Sequence, residues 1–490
     1  MQRGSDIIVE CVTSLFRSSF DPTLPEMSVS SISQSNILGV DVLLMIFQHL
    51  EGEDLLNCKA VCRQWRGILL AGTPWRRLCH RQAESSPWWR KLHKKFESNQ
   101  PTLRTEQYRD VCRRIIQANR NWRTGNFTKS TWPVDSTAIN ASHLAISDDF
   151  VAWNFCRFEK GEVRSGCAFM DTESLKITEI PLDSRTHTLN EMLVSKSFCY
   201  FGNFAVEIRD PKNNWRIDVR NEEEYGCYVC HMSSGSEFFV CYSAYTDNRR
   251  RIRIWKMGNP STLLHDRPLS NEFCDLGIVK VDEQFIVARQ CRSKGDTLYF
   301  ISTETLEDLR ILIARNCKYE YDRGLLFQCR VKGIVRIMDV ASGTYFNDVR
   351  LPIRNEIGRS VDLMCSMVSS NSKFMVVSWK YFKDPSGMLS HLSVYDLEAV
   401  KQPNSDPGRH LLYTLQFQFD IDKFVMNETL IAFIGNDGKQ QRQQSVTVMN
   451  FANFGFAERK SSDVKENLED NENVKMKIIY DRCVENYSCY

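Results

Sequence analysis

Few residues in this chain have the types and spacing for covalent or metal chemistry. The most suggestive run is Cys227-Tyr-Val-Cys230-His231, which matches a haem-attachment pattern. Its residues alternate as a strand does, and covalent haem attachment usually takes place in exported proteins, so buried strand cysteines explain it better. The sequence contains no Gly-x4-Gly-Lys-Ser/Thr phosphate loop, no Gly-x-Ser-x-Gly elbow and no His-Glu-x-x-His zinc helix. No catalytic residue, metal or cofactor is therefore expected. Charge that could bind a ligand is a different matter. Arg249, Arg250 and Arg251 follow the turn signal Asp247-Asn248, and Arg292 with Lys294 and Arg330 with Lys332 fall in similar places. So do Arg157, Lys160, Arg164, Lys380, Lys383, Lys439 and Arg442. Guanidinium groups hold carboxylate or phosphate through paired N–H donors, which suits an acidic or phosphorylated peptide. Charged loops are also commonly just solvated, and Glu222-Glu223-Glu224 and Asp266 share the neighbourhood.

The elements that would position these charges are strands. From Asn121 onward the chain consists of short β-branched and aromatic runs separated by turn residues, as in an all-β domain. Apolar strands end at Asp171, Asp210, Lys256, Ser302, Asp339, Asp396 and Asn450. Their average spacing lies near the roughly 40–45 residues of a four-stranded, WD-type blade. Each of the first six endings is followed by a further apolar segment, such as 175–180, 215–219 and 411–417, and the seventh is not. Asn121–Phe127, NWRTGNF, is the expected donor of the missing strand, and such closure would remove exposed sheet edges. If the endings mark third strands, the loops between second and third strands carry the basic residues on one rim. Asp148-Asp149 and Asp282-Glu283 then fall on the opposite one. A pair of β-sandwiches is the alternative arrangement.

The N-terminal part reads as helix. Leu43, Ile46, Phe47 and Leu50 recur at i, i+3, i+4 and i+7. Gly52 is expected to stop that helix in a left-handed C-cap, and Asp54 to cap a second run carrying Leu55, Cys58, Val61, Cys62 and Trp65. These two or three short helices carry more apolar surface than they can bury by themselves, so the unit needs a partner. Basic amphipathic helices follow, with Leu78, Trp88, Leu92 and Phe96, then Tyr108, Cys112, Ile115 and Ile116, on their inner faces.

Residues 38–75 resemble an F-box. The match consists of Leu38-x4-Leu43-x2-Ile46-Phe47-x2-Leu50, the acidic-Leu pair Asp54-Leu55, Val61-Cys62-Arg63-x-Trp65-Arg66, and Trp75. The sequence departs from the family at Leu38-Gly39, where Leu-Pro is usual; glycine makes that turn less rigid. The β region resembles, less specifically, the WD-repeat propellers that follow F-boxes in substrate receptors. Together these imply an F-box at 37–80, a helical spacer at 81–120, a seven-bladed WD-type β-propeller at 121–457, and flexible or charged segments at 1–36 and 458–490. The resemblance further implies docking onto a Skp-type adaptor and, through it, a cullin–RING scaffold, while the propeller binds a protein substrate. Leu38, Leu43, Ile46, Phe47, Leu50, Leu55, Val61, Cys62 and Trp65 would form the box core or meet the adaptor. Arg249, Arg250, Arg251, Arg292, Lys294, Arg330 and Lys332 would meet the substrate. The rival reading is a propeller scaffold that uses the F-box for a partner outside any ligase.

Composition fits this reading. The 490 residues are 42% hydrophobic and 25% charged with a net charge of +2, so bulk charge favours neither nucleic acid nor membrane as partner. No apolar run approaches the length of a membrane span. Ile7-Ile8-Val9 is interrupted by Glu10 and lacks the flanks of an export signal. The 18 scattered cysteines are then expected to be reduced core thiols of a cytoplasmic or nuclear protein.

Overall fold

The computed structural model describes residues 39–86, 89–90 and 105–135, then the strands, one short helix and the shorter turns between 144 and 452, and finally 477–479. The chain folds as two compact units, Met1–Arg120 and Asn121–Tyr490.

The first unit is helical: α1 (Val40–Phe47), α2 (Gly52–Val61), α3 (Arg63–Ala71), α4 (Thr73–Ser85) and α5 (Thr105–Thr124), whose last turn belongs with the second unit. Gly52 does not cap α1, which ends at Gln48 in right-handed backbone; it opens α2. Glycine is required there by close approach, since a Cβ would lie 2.5 Å from Ile116 Cγ1 of α5. The residue before α2 is Glu51, not Asp54, and Asp54 sits in the first turn where a carboxylate favours the helix N-terminus. The second apolar run is broken at Cys62. Its backbone is extended (φ −156°), and its Sγ accepts a hydrogen bond from the Trp65 N–H at 3.5 Å, capping α3. The left-handed turn (φ +90°) falls at Gly72, immediately before α4. Leu43, Phe47, Leu50, Leu55, Leu69 and Trp75 share one core with Leu78, Tyr108, Val111, Cys112 and Ile115, so α5 completes the burial that α1–α3 cannot achieve alone. Trp88, Leu92 and Phe96, and the segment 1–36, lie outside the described residues.

The second unit is β, in a propeller-like arrangement. Among the described residues there are seven antiparallel sheets, in chain order within 144–181, 191–219, 227–268, 276–314, 318–350, 364–417 and 420–450. The first strand of each sheet contacts the first strand of the next, and the seventh sheet's first strand contacts that of the first, which closes the circuit. Buried side chains fill the junctions between the third and fourth, fourth and fifth, fifth and sixth, sixth and seventh, and seventh and first sheets. All seven repeat endings, Asp171, Asp210, Lys256, Ser302, Asp339, Asp396 and Asn450, terminate the third strand of a sheet. Cys227-Tyr-Val-Cys230-His231 lies on a strand, Cys227–Ser234, with a register bulge between Val229 and His231.

The closing strand is not 121–127. Asn121–Thr124 finish α5, and the outer strand of the seventh sheet is β1 (Thr128–Asp135), which pairs antiparallel from Thr128↔Asn450 to Asp135↔Gln443. The chain stays helical until Gly125, at φ +67°, and only then meets the β-forming residues Thr128, Thr131, Trp132 and Val134. Trp132 stacks on Trp153 of the first sheet, with centroids 6.3 Å apart, and Pro133 is tolerated because this strand is an edge. Within the charged tail, Lys477–Ile479 form a fifth strand on the sixth sheet.

Polar side chains also cross between sheets. Lys280 Nζ lies 2.8 Å from Asp322 Oδ1, while Asp322 Oδ2 accepts from the Ser370 N–H at 3.0 Å. Burial by itself would raise the Asp322 pKa, but Lys280 and Arg323 hold it below the usual carboxylate range. Arg323, in a tight turn with Gly324, donates to Glu428 of the seventh sheet, and Glu428 also accepts from Ser372. These ties join the fourth, fifth, sixth and seventh sheets.

Candidate functional site

In the helical unit, the residues grouped by the sequence pattern separate into two sets. Leu43, Phe47, Leu50 and Leu55 are buried, with Phe47 only 1% exposed. Ile46 and Trp65 are half-buried against the same core, and the Trp65 ring stands edge-on to Phe47 with centroids 5.2 Å apart. Val61 is 49% exposed and Cys62 is also exposed. Leu38 lies outside the described residues.

Four of the five exposed large apolar side chains among the unit's described residues were not singled out by the pattern. They are Val40, Val42, Met45 (55% exposed) and Leu70, alongside Val61. Val42 and Met45 are three residues apart and so share a face of α1 with Ile46, beside the buried Leu43–Phe47 stripe. The usable signal was the second apolar stripe on α1: in VDVLLMIF only Asp41 is polar. A helix apolar nearly all round is either wholly buried or faces a partner. Three of the described thiols of the unit, Cys58, Cys79 and Cys112, are buried. Burial, then the nearby Asp54 carboxylate, pushes Cys58 up to about 12, and Cys112 donates to the Trp75 carbonyl at 3.4 Å while lying 3.0 Å from Cys79 Sγ.

Arg81 closes this module. Its guanidinium donates to the carbonyls of Gln48 (3.2 Å), at the end of α1, and Leu50 (2.9 Å), just past it, and to Glu51 Oε1 (3.1 Å).

In the β unit, the basic residues cluster at one end of their sheets, where second strand turns into third. Arg157 pairs in register with Arg164, Arg250 with Ala244, Arg292 with Gly295, Arg330 with Ile334 and Lys383 with Gly387. Arg249, Lys294 and Lys332 lie outside the described residues, and for Arg250, Arg292 and Arg330 only the strand positions are described. Arg251 is ion-paired: its Nε lies 2.9 Å from Asp266 Oδ1, and Arg253 reaches the other oxygen of that carboxylate at 3.5 Å. Lys380, near the same end of the sixth sheet, pairs with Asp420 at 3.0 Å. Part of the basic charge is thus already matched by carboxylates.

A protein-family model described as F-box-like matches residues 40–81. The chain carries an F-box-like domain. The match starts at the first residue of α1 and ends at Arg81, the residue that binds the end of α1. The F-box-like domain is therefore α1–α3 with most of α4, and α5 supplies the rest of its core. No curated protein matches the chain. Among solved structures, the computationally designed Ika8 protein is similar at 10% identity and a TM-score of 0.36, over 65% of this chain and 98% of its own.

Proposed function

We propose that this protein is the substrate-recognition subunit of a Skp–cullin–F-box ubiquitin ligase. The supporting observation is an F-box-like domain at 40–81 whose Val42, Met45 and Val61 stay in solvent, in a chain that continues into a separate β unit. An exposed apolar helix face of this kind fits the docking of a Skp-type adaptor. In this reading the seven sheets are blades of a WD-type propeller, and the protein has no chemistry of its own. It holds a substrate lysine near the charged conjugating enzyme that the cullin–RING scaffold brings, so it acts through proximity and orientation in the cytoplasm or nucleus. The basic second-to-third-strand turns, with Arg249, Arg250, Arg292, Lys294, Arg330 and Lys332, receive an acidic or phosphorylated peptide. Arg251, held by Asp266, braces its own strand.

The deciding experiment is capture of a purified Skp-type adaptor by the full chain and by a Val42→Asp/Met45→Asp variant. Capture by the parent and at least tenfold weaker capture by the variant, with unchanged melting, is expected. Failure of the parent chain to capture the adaptor would leave the rival, a propeller scaffold outside any ligase. Gly39, at the position where the F-box family usually has proline, is the observation that favours that rival.

A further inference from the structure

Cys79 of α4 and Cys112 of α5 face each other inside the helical unit, with their Sγ atoms 3.0 Å apart and the residues 2% and 1% exposed. Each thiol also reaches the backbone of the opposite helix. Cys79 Sγ donates to the Tyr108 carbonyl and Cys112 Sγ to the Trp75 carbonyl, both at 3.4 Å. Trp75 and Tyr108 stand one turn before Cys79 and Cys112 in their own helices, so the two sulfurs sit where the helices approach closely. A disulfide bond is about 2.0 Å long, and the sulfurs need to move together by only about 1 Å to form one.

We propose that Cys79 and Cys112 are an oxidisable pair, which closes to a disulfide and fastens α5 to the F-box-like domain. Cys79 lies within the matched stretch 40–81, and Cys112 lies beyond it on the helix that completes the same core. The bond would close the loop of chain between the two helices and so restrict the unfolded state. In the cytoplasm or nucleus proposed above, thiol reductants hold such a pair open, and a rise in oxidant closes it. The inference does not depend on adaptor docking.

Closure is a two-electron oxidation, and the oxidant is a peroxide. One sulfur, as its thiolate, attacks a peroxide oxygen; the O–O bond breaks, hydroxide leaves, and a sulfenic acid forms. The second sulfur then attacks the sulfenic sulfur, the S–O bond breaks, and water leaves with the second thiol's proton. Two thiols and one hydrogen peroxide thus give one disulfide and two waters. Burial excludes bulky reagents, and the facing sulfur intercepts the sulfenic acid before a second peroxide does.

The test treats the reduced full chain with hydrogen peroxide, blocks remaining thiols with N-ethylmaleimide, and maps tryptic peptides by mass spectrometry without reduction. Leu78–Arg81 (LCHR) should appear joined to Asp110–Arg113 (DVCR), and dithiothreitol should separate them. Oxidation should raise the thermal midpoint of the helical ellipticity by about 5 °C or more in the parent and leave it unmoved in Cys79→Ala and Cys112→Ala. The peptide map needs only the parent chain, so it decides even if a variant does not fold. Recovery of the two peptides unjoined, joined to other cysteines, or carrying sulfinic acid would overturn the proposal. So would equal joining in a chain unfolded in guanidinium, or a midpoint that oxidation does not raise in the parent or raises equally in the variants.

Discussion

Trp122 and Phe451 stack face to face, with ring centroids 3.8 Å apart and planes 9° from parallel, and so bring together the start of the β unit and the end of its seventh sheet. Trp122 closes α5 just before the first strand, and Phe451 follows the last strand of the seventh sheet. The indole also donates to the Glu428 carbonyl at 2.9 Å, and the Asn121 amide donates to the Phe451 carbonyl at 2.8 Å. Although 121–127 supply no strand, they lock the ring through one buried aromatic. Trp122→Ala should lower the stability of the β unit by about 3–5 kcal/mol, the cost of truncating a fully buried large side chain. Urea unfolding followed by near-ultraviolet circular dichroism measures this, and a loss under 1 kcal/mol would show that β1 pairing alone closes the ring.

Phe47 lies in the core of the F-box-like domain under Trp65, not on its surface. Phe47→Ala is therefore expected to destabilise the helical unit by about 3–5 kcal/mol and to lose adaptor only as a consequence. Met45→Ala, at an exposed position, should leave the helical signal and its midpoint unchanged. Helical ellipticity through a thermal melt separates the two variants.

Gly39 precedes α1 with φ −58°, ψ 149°, a backbone that proline adopts, and a Cβ there would meet nothing within 4 Å. Gly39→Pro should stabilise the helical unit by about 0.4–1 kcal/mol by restricting the unfolded chain. If the proposed docking holds, it should also tighten adaptor capture. A lower denaturation midpoint would mean that the turn needs a conformation proline cannot take.

His391 is buried and stacked on Trp379, with centroids 4.0 Å apart, and burial lowers its pKa to about 4. Between an unfolded value near 6.5 and that folded value, the unfolded chain binds a proton that the folded one does not. Stability should therefore fall as pH drops through this window, by on the order of 2–3 kcal/mol from this residue. His391→Phe should flatten the dependence of the urea midpoint between pH 7 and pH 4.5. An unchanged slope would assign the loss to other groups.

Two kinds of information were readable along the chain. Local periodicity marked the helical stripe Leu43–Phe47–Leu50 and the ends of all seven third strands, because burying one face of a helix or strand imposes a repeat of 3.6 or 2 on residues near in sequence. Spacing and residue type likewise mark the F-box-like stretch. Neither showed which apolar residues face inward, because Met45 and Phe47 are both apolar members of one helix and differ only in what packs against them. Gly52 was legible as a helix boundary, but its reason, the approach of Ile116, comes from a residue more than sixty positions away. The choice of Thr128–Asp135 over 121–127 as closing strand, the Arg251–Asp266 pair and the seat of Lys477–Ile479 on Leu411–Phe417 are of the same kind. A sheet edge offers main-chain groups to any extended segment. Only the three-dimensional path of the chain determines which segment arrives there.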